Sequence, residues 1–250
     1  MSTQVLNDET FTAQRVGLFE VDRAKPRAMT YGGVSIRALF LLAITSVMAV
    51  VGWNSVTDVR PTSGLWFFLG YMVLIALTFA AVSNPRIAPI AGLFYAVLMG
   101  FWMGSISRIY DAYYDGIVLQ AIMASLATFL GCLLLYSTRA VRVTGRFVRI
   151  LMIGLVGIGL LYLTAFFFSL FGIDLYFWTN PTPVGIVVSL LICVLAAMSL
   201  IADFAVIETG VKAQAPAEMQ WYLAYGLLSS LVWLYVEILR LLAVLRRASG

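Results

Sequence analysis

The chain holds seven long runs without a charged residue, and their spacing dictates how it can fold. The runs cover residues 38–57, 61–85, 87–107, 116–138, 150–173, 175–202 and 219–236. A helix needs about 20 apolar residues to cross the hydrocarbon core of a bilayer. Each run reaches that length, the last only if it carries Glu237 within it and continues to residue 245. The runs show no period-two alternation, and an open sheet in lipid would leave backbone groups unpaired. The expected fold is therefore an all-α membrane protein, a bundle of seven transmembrane helices.

Composition agrees. The 250 residues are 62% hydrophobic and 11% charged, where soluble domains carry about 25% charged residues. The net charge is +4, from 16 basic and 12 acidic residues. The basic residues lie in short loops, which reads as membrane topology rather than nucleic-acid binding. There is no histidine. That excludes imidazole-metal sites, histidine-based triads and histidine pH switches, so proton sensing falls to carboxylates. Cys132 and Cys193 each sit inside an apolar run, without disulfide or metal-ligand context. No nucleophile–base set and no phosphate loop is present, so neither an enzyme nor a cofactor is expected.

Residues 1–33 form a polar tail without the apolar core of a cleavable signal, and residues 34–247 form the transmembrane domain. With the N-terminus in the cytoplasm, that side receives Arg15, Arg23, Lys25, Arg27, Arg37, Arg86, Arg139, Arg142, Arg146, Arg149 and Lys212. The other side receives Arg60, Arg108, Asp58, Asp111, Asp115 and Asp174. This bias predicts a multi-pass protein of the cell inner (plasma) membrane, N-terminus inside. Seven full spans place Arg246 and Arg247 outside, against the rule; a re-entrant last segment would return them. Trp53, Trp66, Trp178 and Trp221 fall near span ends, as an aromatic belt would. Gly100 and Gly104 form a GxxxG that permits close helix packing, and Gly154, Gly157 and Gly159 recur in the fifth run.

Two carboxylates break the pattern of charges at run edges. Ionisable groups at membrane depth are expensive and mark function by default. Asp203 follows the sixth run and lies about one turn inside an exit near Glu208, itself a secondary candidate. A carboxylate snorkelling to the interface is the plain alternative. Glu237 has apolar residues on both sides, and Arg240 lies three residues on, so an intrahelical ion pair is one reading. The other brings Glu237 beside Asp203, where two like charges cannot both ionise cheaply. That arrangement is a proton-controlled latch or a cation site. Arg86, in the turn Ser83-Asn84-Pro85-Arg86, is the candidate latch cation, or else an ordinary cytosolic arginine. The loop holding Arg139 to Arg149 is a solvated cytosolic loop or contacts anionic lipid.

These residues resemble the Bax inhibitor-1 family, also called TMBIM, in its bacterial YccA-like branch. The matching stretches are Ile106-Ser107-Arg108-Ile109-Tyr110, Gly116-Ile117-Val118-Leu119-Gln120-Ala121, Leu135-Tyr136, Asp203-Phe204, Ile207-Glu208 and Trp233-Leu234-Tyr235-Val236-Glu237-Ile238-Leu239-Arg240-Leu241-Leu242. They leave the first 30 residues uncovered. The resemblance implies a bundle with the last helix central, acting as a pH-sensitive calcium leak channel. It implies a paired-carboxylate proton sensor at Asp203 and Glu237, both candidate calcium contacts, and a latch at Arg86. Ala205 and Met99 stand where many relatives carry carboxylates. The alternative function is a membrane modulator that binds a quality-control protease or other membrane complex, using the N-terminal tail and the basic loop.

Overall fold

The computed structural model describes residues 28–56, 76, 78, 85–171 and 181–249. The expected second span lies outside the described residues apart from 76, 78 and 85, and residues 1–27, Asp58, Arg60, Trp66, Asp174 and Trp178 lie outside them entirely. The described residues form six long helices rather than seven: α1 Tyr31–Ser55, α2 Ala88–Tyr113, α3 Ile117–Ser137, α4 Gly145–Leu170, α5 Pro183–Lys212 and α6 Met219–Ser249. All six are long and apolar enough to cross a membrane. No strand occurs among the described residues; an isolated bridge joins Ala28 to Pro216.

Local chemistry sets the helix starts. Thr30 caps α1 by accepting from the Gly33 amide at 3.1 Å. Thr182 caps α5 by accepting from Gly185 at 3.1 Å, with Pro183 at the first helical position. The turn from α2 to α3 is tight enough to need a left-handed residue, and Gly116 supplies it at φ 72°. The helices also run beyond the uncharged runs: α2 carries Arg108 and Asp111, and α4 begins ahead of Arg146 and Arg149. Charged residues at the ends of a span reach the interface, so charge marks where lipid ends rather than where the helix does.

Lipid is as apolar as leucine, so helices associate here by close fit and polar contact rather than by escape from water. α1 and α2 show both. A Cβ at Gly52 would run into the Phe101 carbonyl, one at Gly100 into the Thr45 carbonyl, and one at Gly104 into the Ala49 carbonyl. Ser105 Oγ reaches across to the Gly52 carbonyl at 3.2 Å. The GxxxG is thus the α2 half of a backbone-to-backbone contact. Contacts climb together from Leu41 with Gly92 to Ala49 with Gly104, so α1 and α2 run parallel. The chain leaves α1 and enters α2 at opposite ends of the bundle.

The helix α6 is central. It packs directly on α1, α2, α3 and α5, and α4, which leans on α5, reaches it through Tyr162. It is one continuous helix of 31 residues, about 46 Å long at 1.5 Å per residue. A re-entrant last segment is therefore not what forms. Arg246 donates to Gln120 at 3.1 Å and Arg247 to Tyr114 at 2.7 Å, which fixes both arginines at the end where α3 begins. The outward faces are apolar: Ile36, Leu119 and Ile153 are 70%, 66% and 67% exposed, as lipid contact requires.

The two ends of the bundle differ in charge. One gathers Arg37, Arg86, Arg139, Arg142, Arg146, Arg149, Lys212, Glu208 and Glu218; the other holds Arg108, Asp111, Asp115, Arg246 and Arg247. Trp221 lies at the first end and Trp53 at the second. At the first end Met29 donates its amide to the Ala215 carbonyl at 2.8 Å. There Arg37 also bonds Gln220 and lies 5.2 Å over the Trp221 ring, tying the start of α1 to the start of α6.

Candidate functional site

Asp203 lies on α5, nine residues short of its end at Lys212, about 14 Å along the axis. It faces α6 at Gly226 and Ser230, one turn apart. A Cβ added to Gly226 would stand 3.9 Å from Asp203 Oδ1, and Ser230 lies beside the carboxylate. The residue as a whole is half-buried, but Oδ2 is closed off and has no hydrogen-bond partner. Buried carboxylate oxygens normally find a donor, so an orphan at this depth is an unusual and costly feature.

Glu237 lies elsewhere. It is seven residues past Ser230 on α6, about 10 Å further along the axis. It is 2% exposed. Its Oε2 stands 2.8 Å from Arg240 Nη2, one turn on along the same helix. Its Oε1 accepts from the Tyr162 hydroxyl of α4 at 2.6 Å and from Trp233 Nε1 at 3.2 Å. Tyr162 in turn accepts from Arg240 Nη1 at 2.9 Å, and the guanidinium lies 5.7 Å from its ring centre. One phenol therefore donates to the acid and accepts from the base. Tyr110 of α2 and Cys193 of α5 lie close enough to feel both charges.

Of the two readings open for Glu237, the structure has the intrahelical pair. It does not bring Asp203 and Glu237 together, because the short turn between α5 and α6 sets Asp203 level with residues 226–230. Arg86 lies exposed in a 3-10 turn, Pro85–Ile87, just ahead of α2. Glu208 lies at the end of the bundle that gathers most of the arginines, ion-paired to Lys212 and accepting from Tyr136. No cluster of three metal-ligating side chains occurs among the described residues. Both cysteines are free and buried.

Sequence reasoning missed Tyr162, Gly226 and Ser230. Tyr162 carried a signal, a phenol in the middle of an apolar run, where its hydroxyl must find a partner. Ser230 and Gly226 carried none, since small residues are common in membrane helices.

The fold and its buried charges define an all-α, multi-pass membrane protein built around a central helix. The chain belongs to the Bax inhibitor 1-like family, whose family model matches residues 4–247. That match begins within the N-terminal tail, which the motif resemblance had left uncovered. No curated protein and no solved structure matches the chain.

Proposed function

We propose that this protein is a proton-regulated cation leak of the inner (plasma) membrane, with calcium as the transported ion and Asp203 as the proton sensor. The observation that carries the reading is the orphaned Asp203 Oδ2 against Gly226 and Ser230 of the central helix. Ionised, that oxygen calls for a cation or water at the α5–α6 contact; protonated, it does not. The charge state of one side chain then decides whether a polar path is favoured along the central helix. Glu237 takes a different part from the one its sequence position suggested. Held by Arg240, Tyr162 and Trp233, it is a fixed, neutralised charge rather than the second half of a paired sensor.

The test is calcium flux into proteoliposomes on either side of neutrality, at about pH 6 and about pH 8. Wild-type flux changes between the two, and Asp203→Asn flux does not. A pH response that survives in Asp203→Asn removes the sensor from this residue. Absence of flux from folded, inserted protein removes the leak itself.

A second reading has the chain as a modulator of a membrane protease or other membrane complex. It draws on the arginines of the 138–149 segment, exposed at the end of the bundle where residues 28 and 29 meet the α5–α6 turn. Deleting residues 1–27 should abolish co-purification of such a partner; retention of the partner overturns the tail's role.

A further inference from the structure

A cleft of about 940 Å³ runs between α1 and α3, floored by α2 and α6. Along α1 it extends from Ser35 to Asn54, about 28 Å at helical rise, close to the thickness of a bilayer's hydrocarbon core. Its floor is apolar and closed: Leu228 and Val232 of α6 are 2% and 4% exposed. Its rims point outward. Leu39 and Val50 on α1, and Ile122 and Leu126 on α3, are all exposed. A trench of this kind opens sideways onto lipid, and among the described residues no charged one lines it.

One end is different. Trp53 and Asn54 close it, and the Arg108 guanidinium lies 5.4 Å over the Trp53 ring. Arg108 is in no ion pair among the described residues. Asp111 follows one turn later on α2, and its charge reaches Tyr235, a lining residue bonded to Ser107 at 2.7 Å. The mouth therefore carries a cation and an anion side by side above an apolar trench of bilayer depth.

We propose that the cleft holds a single zwitterionic phospholipid, its phosphate on Arg108 and an acyl chain lying between α1 and α3 in the half of the cleft nearest that residue. The chemistry matches at each level. The trench offers an acyl chain dispersion contact, because the hydroxyls of Thr45, Ser46 and Ser125 along it are turned back onto carbonyls of their own helices. A guanidinium is the side chain best suited to a phosphate, and its seat on an aromatic face holds it in place. Asp111 then faces the headgroup amine. The inference is independent of conduction and rests only on the chain spanning a membrane.

The experiment is lipid analysis of protein reconstituted in mixed phosphatidylethanolamine and phosphatidylglycerol, then purified by extended detergent exchange. Mass spectrometry of the intact protein should show one tightly retained phosphatidylethanolamine. Arg108→Gln should retain several-fold less, and Ser46→Trp, which fills the trench from its α1 wall, should retain none. A second measurement keeps the outcome clear if Ser46→Trp folds poorly. Acyl chains brominated along their length should quench wild-type tryptophan fluorescence more than that of Trp53→Phe. Equal lipid retention in wild type and Arg108→Gln, or equal quenching with and without Trp53, overturns the proposal. Retention of phosphatidylglycerol in place of phosphatidylethanolamine overturns the headgroup assignment.

Discussion

Glu237 and Arg240 form an ion pair within one turn of the central helix, 2.8 Å apart, with the carboxylate buried and the guanidinium mostly so. The pair brings both charges into the bundle together. Removing one partner of a buried pair leaves the other uncompensated, which costs about 3–5 kcal/mol. Glu237→Ala and Arg240→Ala should each lower the thermal unfolding midpoint in detergent sharply. The double variant Glu237→Met with Arg240→Leu should recover much of the loss. A double variant as unstable as the singles would mean that the pair is not what holds this region.

Tyr162 ties the peripheral helix α4 to the central one by a single hydroxyl that serves both charges. Tyr162→Phe keeps the ring and deletes that hydroxyl. Hydrogen bonds to charged groups are worth about 1.5–3 kcal/mol. We expect a loss of that order, together with faster amide exchange in α4 than in α5. Unchanged exchange in α4 would show that its contact with α5 alone suffices.

The glycines make a contrast within one protein. At Gly100 and Gly104 even a methyl group meets the α1 backbone, whereas Gly157 and Gly159 of α4 face open space. Gly104→Ala should destabilise. Gly157→Ala should be neutral or stabilising by up to about 1 kcal/mol, since alanine is the better helix former. Thermal unfolding of the two variants side by side decides it.

Topology can be read with an impermeant thiol reagent, because Cys132 and Cys193 are both buried. Thr138→Cys, beyond α3, and Asp115→Cys, before it, lie at opposite ends of the bundle. They should label from opposite sides of the membrane, and Arg247→Cys should label with Asp115→Cys. If Arg247→Cys labels with Thr138→Cys instead, α6 does not cross.

Much of this was legible in the sequence. Six of the seven uncharged runs match helices among the described residues, loop arginines gave the two unlike ends, and the GxxxG pointed to a close contact that α1 and α2 do make. The three-residue spacing of Glu237 and Arg240 held one of the two readings that the structure chose between. Expecting Asp203 beside Glu237 failed for a reason of length. With α5 and α6 joined by a short turn, Asp203 lies level with the residue as far forward from Met219 as it lies back from Lys212. That point falls between Gly226 and Ser230, two turns short of Glu237. The partner Tyr162 was out of reach because nothing in a single sequence fixes the rotation of α4 against α6.

The order of synthesis gives the central helix a further significance. A ribosome delivers α1 through α5 to the membrane before any of α6 exists, so the helices that pack on it must wait without it. When α6 does arrive, its acid and base enter lipid one turn apart, each already masking the other. Assembly of this protein is thus an event of its final moments, and a chain cut short before Met219 would leave a ring of helices around an empty centre.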